Sequence, residues 1–178
     1  MDQSSELLDY FDDQGNYLGV APRSKVHSEG LWHKTSQVWV LNEAGELLLQ
    51  LRSSSKACFP NRWDISSAGH IPAGSLPLES AVRELEEELG VQKEPKDLEF
   101  LFEHIQPYIG ESHVDREIAH VYLTRVARSF SFSLQTSEVA AVRWIHYSKL
   151  MEDFYSNRDQ YVDHEVHFKK LIKVLLKI

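Results

Sequence analysis

The sequence predicts an α/β fold, an α/β/α sandwich in which a mixed β-sheet lies between helices. Three observations point there. Short strand-like segments recur with turn signals between them, an acidic amphipathic helix sits mid-chain, and a second amphipathic helix closes the sequence. Residues 7–10 and 17–20 flank Asp12-Asp13-Gln14-Gly15-Asn16 and read as a small hairpin. Residues 37–41 and 46–51 flank Asn42-Glu43-Ala44-Gly45 and read as a second one. Residues 98–106 and 117–126 read as two further strands. Residues 141–147 form another, followed by a short helix over 148–155. In residues 164–177, Phe168, Leu171, Ile172 and Leu175 recur at helical spacing and predict a helix packed on the core. No repeat, low-complexity tract or linker divides the chain, so residues 1–178 are expected to form one domain.

Composition bounds the function. The 178 residues are 42% hydrophobic and 26% charged, which suits a globular protein with a sizeable core. A formal net charge of −8 argues against a broad nucleic-acid or membrane surface. It also means that an anionic substrate needs metal ions and local cations to approach. Cys58 is the only cysteine, so no intrachain disulfide can form, and a reducing compartment is expected. The acidic, polar start MDQSSELLDYFDD reads as neither a signal peptide nor a membrane span, and the expected location is cytoplasmic. Monomer and homodimer both remain open.

The segment GHIPAGSLPLESAVRELEEELGV, residues 69–91, carries most of the chemistry. A glycine-rich turn runs into a helix that stops at Gly90. Glu84, Glu87 and Glu88 stand at i, i+3 and i+4 and share one face, while Val82, Leu85 and Leu89 form the apolar stripe. Three crowded carboxylates repel one another. A hard divalent cation removes that cost, since Mg²⁺ takes oxygen ligands from one or two carboxylates and substrate phosphates. The pattern reads as a metal site that presents a di- or polyphosphate.

These residues resemble the signature of the Nudix hydrolases, G-x5-E-x7-R-E-U-x-E-E-x-G-U, where U is aliphatic. Gly69, Arg83, Glu84, Leu85, Glu87, Glu88, Gly90 and Val91 fall in register, and Ser75 replaces the first glutamate. The resemblance implies the Nudix fold, Mg²⁺ or Mn²⁺ held by Glu84, Glu87, Glu88 and the Gly69 carbonyl, and a small-molecule diphosphate substrate. Residues 17–126 further resemble the branch that contains isopentenyl-diphosphate isomerase. The pieces are Val26-His27, Trp32-His33, Gln37-Val38-Trp39-Val40, Arg52-Ser53-Ser54-Ser55-Lys56, Phe59-Pro60-Asn61-Arg62-Trp63 and Ala68-Gly69-His70. That likeness implies a second metal set of His27, His33, His70, Asp115 and Glu117. Ala68 replaces the isomerase cysteine, however, and cannot give or take a proton. The expected reaction is therefore metal-assisted hydrolysis, with Glu84 or Glu117 taking a proton from water.

Each candidate also has a plainer reading. His27 and His33 suit packing near the hairpin, and His70 suits either a metal or a substrate role. Asp115 and Glu117 alternate on a strand and share a face, which is polar and solvated or turned to the site. Arg52 and Lys56 suit either a surface pair or a phosphate clamp. Trp63 suits a stacking platform or the core. His104, His113, His120, His146, His164 and His167 show no ligand spacing. Ser75 suits a helix cap before Pro77, and Glu79 is placed to pair with Arg83 in place of the missing glutamate. Three functions follow: a diphosphate hydrolase, an isoprenoid diphosphate isomerase, or a Nudix module that binds a nucleotide without turning it over.

Overall fold

The structure is a computed structural model that describes residues 5–109 and 114–177. Its elements run β1 (Leu7–Phe11), β2 (Tyr17–Pro22), α1 (Arg23–Glu29), β3 (Trp32–Leu41), β4 (Glu46–Arg52), β5 (Trp63–Asp64), β6 (Ser67–His70), α2 (Pro77–Leu89), β7 (Glu99–Ile109), β8 (Val114–Arg125), β9 (Val139–His146), α3 (Leu150–Ser156) and α4 (Glu165–Leu175). Among the described residues no helix is long and apolar enough to cross a membrane.

β3 is the spine of one mixed sheet. Along one edge it pairs in parallel with β8 over its whole length, from Trp32↔Arg116 to Leu41↔Arg125. Its other edge takes β1, then β6, then β4, all antiparallel. β7 lies outside β8, and β4 carries β5 and β9.

Side-chain alternation along β3 sorts the core into two layers. Val38 and Val40 pack with Ala81, Leu85 and Leu89 of α2. Trp39 turns the other way, to Phe154 of α3 and to Phe168 and Leu171 of α4. Neighbouring Leu48 and Leu47 on β4 repeat the split. The result is the α/β/α sandwich. Val82, expected with Leu85 and Leu89 in the stripe, packs against the edge of the α2 layer and is partly buried.

The two expected hairpin strands over 7–10 and 17–20 are β1 and β2. The segment Arg23–Glu29 forms a helix that the expected outline lacks, and it carries His27. Pro22 precedes it and Gly30 ends it in the left-handed conformation, both helix-boundary signals. The last helices begin later than expected: a 3₁₀ turn over Tyr147–Lys149 precedes α3, and His164 lies just before α4. The Ser75 cap is corrected. Leu76 occupies the cap position of α2 without a side-chain hydrogen bond, and the Ser75 N–H donates to the Pro72 carbonyl at 3.0 Å. Pro77 opens the helix as expected, and Gly90 closes it at φ 69°.

Candidate functional site

The acidic helix lies against β6. Glu84 rests on Gly69 so closely that a Cβ there would overlap its carboxylate. A side chain at this position would have to displace the Glu84 carboxylate. One turn on, the Ala68 N–H donates to the Glu88 carboxylate at 3.2 Å. Burial pushes Glu84 up to about 7, with Arg83 opposing and Glu87 adding to the rise. Burial pushes Glu88 up to about 8, and Glu84 contributes. Glu87 is half-exposed and bonds Arg83 at 3.1 Å, while Arg83 also holds Glu84 at 2.7 Å. Arg83 therefore pairs with its own helix's Glu84 and Glu87. The Glu79 partnership expected from the sequence does not form. The arginine spans the acidic face, and Glu79 lies exposed a turn away.

His70 follows Gly69 but points to the other face of β6, since Thr35↔His70 and Ser36↔Gly69 are successive pairs. There it meets His27 from α1, Nε2 to Nε2 at 3.1 Å, and stacks on His33 with ring centroids 5.0 Å apart. His33 is fully buried, with Nδ1 on the Leu31 carbonyl at 3.0 Å. Its Nε2 lies 3.4 Å from Asp115 Oδ1. Both of those atoms are buried without a hydrogen-bond partner. Glu117 stands beside His33 across the β3–β8 pair and accepts from the Thr35 hydroxyl at 3.3 Å. Burial pushes Glu117 up to about 8, and Asp115 adds to the rise. Burial holds His33 below the ordinary imidazole range and His70 well below it. The reading of Asp115 as a solvated charge is corrected, because β8 turns it onto His27 and His33.

Two triads, His27–His33–His70 and His33–Asp115–Glu117, bring ligand atoms within 4.8 Å of one another and share His33. Neutral imidazoles with carboxylates suit a first-row transition metal, whereas the all-oxygen set on α2 suits Mg²⁺ or Mn²⁺. The orphaned His33 and Asp115 atoms fit a cation better than a packed core.

Arg52 and Lys56 each have carboxylate partners. Arg52 forks onto the Cys58 carbonyl at 3.0 and 3.2 Å and bonds Asp64 at 2.9 Å, and Lys56 pairs with Glu138. Lys56 still acts electrostatically on Glu88 and His70, and Arg52 on Glu117. Trp63 packs against the core below the Arg143 guanidinium, 4.3 Å from its ring centroid. Sequence spacing had no means of finding the Arg52–Asp64–His164 line, in which His164 meets Asp64 at 2.7 Å across 100 positions of chain. His113 lies outside the described residues.

Comparison with known proteins identifies the family and the fold. A model of the NUDIX domain matches residues 31–165. The chain belongs to the Nudix family. It is 40% identical to Nudix hydrolase 3 of Arabidopsis thaliana over 97% of its own length, but it spans 23% of that protein. An isopentenyl-diphosphate delta-isomerase 2 of Photorhabdus laumondii is 29% identical, over 96% of this chain and 92% of that one. A solved Deinococcus radiodurans structure shares the fold with a TM-score of 0.69 at 20% identity, covering 94% of this chain and 98% of that one.

Proposed function

We propose that the protein hydrolyses a diphosphate bond in a small-molecule substrate, a nucleoside di- or triphosphate or another X-linked diphosphate. Glu84, Glu87, Glu88 and the Gly69 carbonyl hold Mg²⁺ or Mn²⁺. The observation that carries this reading is the pressing of two buried carboxylates, Glu84 and Glu88, onto one glycine-bearing strand with a single guanidinium beside them. A bound divalent cation supplies charge neutralisation at the phosphates and acidifies water in its shell. Glu84 or Glu117 takes the proton of the attacking water, the role of a positioned carboxylate base. Lys56 and Arg52, ordered by Glu138 and Asp64, bring positive charge to the substrate phosphates. His70 serves the substrate or a second cation held with His27, His33, Asp115 and Glu117. The two orphaned atoms favour that second ion.

The test is a screen of nucleotides, nucleotide sugars and isoprenoid diphosphates with Mg²⁺ or Mn²⁺, reading monophosphate release. Release from at least one compound is the expected result. Double-bond migration without phosphate release would replace this reading with an isomerase. Tight binding without turnover would replace it with a binding module. Metal analysis of the purified protein, set against a His33→Gln variant, tests the second ion.

A further inference from the structure

Eleven large apolar side chains stand exposed among the described residues, and four of them crowd onto one two-stranded ribbon. Leu7, Tyr17, Leu18 and Val20, 46–61% exposed, all belong to β1 and β2. Register gathers three of them on one face. Paired residues share a side, and the pairs are Leu7↔Pro22, Asp9↔Val20 and Phe11↔Tyr17. Single exposed apolar residues are ordinary, whereas a cluster on one ribbon marks a contact surface.

β2 is also an outermost strand of the sheet. The Arg23 N–H donates to the Glu6 carbonyl at 2.7 Å, one step beyond the Leu7↔Pro22 pair. Bonded and non-bonded pairs alternate along an antiparallel ladder. Leu8↔Ala21 and Tyr10↔Gly19 therefore exchange hydrogen bonds, and Asp9↔Val20 does not. Val20 turns its N–H and carbonyl outward. The Leu18 carbonyl, anti to the Gly19 N–H across a planar peptide, points the same way. Another edge of the sheet, β7, is guarded. It carries Glu99 and Glu103, and the Lys170 ammonium takes the Glu103 carbonyl at 2.7 Å. The β2 stretch from Tyr17 to Pro22 has no charge at all. Pro22 lacks a donor, and a register shift leaves Leu18 without a counterpart in β1, so new pairing on this edge is short.

The charges on either side of the strand select its occupant. Asp12 and Asp13 precede β2 in the hairpin loop, and Arg23 and Lys25 follow it at the start of α1. A copy of the strand laid antiparallel about a two-fold axis at Gly19 sets Val20 beside the partner's Leu18 and Arg23 beside the partner's Gly15. Each acidic loop then faces the basic start of the other α1, and the symmetry makes the match twice. We propose that two copies of this chain pair through β2, antiparallel about a two-fold axis at Gly19, so that their sheets join. The Val20 N–H donates to the partner's Leu18 carbonyl, and the reverse bond forms by symmetry. The Leu18 and Val20 side chains meet their counterparts across the seam and leave water.

The test is sedimentation equilibrium of the full chain over a concentration series, in wild type and Val20→Lys. Wild type is expected to reach twice the chain mass. Val20→Lys sets two like charges on the seam and is expected to raise the dimer dissociation constant at least about tenfold. A second reading uses Leu18→Cys with Val20→Cys in a Cys58→Ser background. Opposite residues of a bonded pair stand about 5.5 Å apart, within disulfide reach, so oxidation is expected to link two chains. Thermal melts of both variants show that these exposed substitutions leave the fold intact. A monomer at every concentration, a dimer that Val20→Lys leaves unchanged, or a dimer that oxidation does not link overturns the proposal.

Discussion

Among the described residues, two buried polar clusters are built in opposite ways. At the Arg52–Asp64–His164 line every charge meets an opposite charge or a hydrogen bond. Burial raises the Asp64 carboxyl, but His164 and Arg52 outweigh it and hold the group well below its ordinary 3.8. At α2 and β8 the balance reverses. Burial dominates at Glu84, Glu88 and Glu117 and pushes all three towards neutrality, while His33 and Asp115 keep buried atoms without partners. The first cluster is complete without a ligand and stabilises the fold. The second leaves buried polar atoms unmatched, as the proposed metal and substrate site requires. Burial of charge by itself therefore does not mark a site. Burial without compensation does.

The contrast breaks most visibly if one residue of each kind is neutralised. Glu88→Gln is expected to lower turnover by at least about two orders of magnitude, ~2.7 kcal/mol in the barrier, with no loss of thermal stability. Near-normal turnover would remove Glu88 from the metal site. Asp64→Asn is expected to do the reverse to stability and cost about 3 kcal/mol, because it leaves Arg52 buried without its counter-ion. Urea denaturation of wild type and variant measures this. The pH dependence sharpens the same point. The folded-state value for Asp64 is depressed, so its contribution is present above the ordinary 3.8 and is lost as pH falls below it. Wild type should therefore lose more stability on acidification than Asp64→Asn, and equal losses would refute the pairing.

Much of this was legible in the sequence, though not evenly. The helix ending at Gly90 was readable because its signals are local: the i, i+3, i+4 carboxylates, the apolar stripe and the closing glycine. β1, β2, β7 and β8 were readable from strand-like runs bounded by turn residues. β5 and β6 were not, since strands of two and four residues show no periodicity. The face to which His70 points was also hidden, because it depends on the register of β6 against β3. Asp64, Gln106 and His164 carry no spacing at all. They meet only through strand order and the placement of α4.

A smaller effect is expected from cation addition. Saturating Mn²⁺ should raise the melting temperature of wild type, by an amount equal to about 2.7 kcal/mol at a hundredfold excess over the dissociation constant. His33→Gln with Asp115→Asn should lose part of that gain. An unchanged gain would leave the imidazole cluster as packing alone. The smallest effect belongs to Ser75→Glu. Arg83 is already held by Glu84 and Glu87, so activity should stay within about tenfold of wild type, ~1.4 kcal/mol. A larger gain would show that the missing glutamate limits the site.

The long parallel pairing of β3 with β8 also sets an order of events during synthesis. Its partners, such as Trp32 and Arg116, lie roughly 80 residues apart in the chain, and contacts of that span close slowly. His27, His33, His70 and the α2 glutamates leave the ribosome well before Asp115 and Glu117 do. For that interval β3 has no β8 to pair with, and the nascent chain holds imidazoles and helix carboxylates without the strand that unites them. These side chains come together only once β8 has been synthesised.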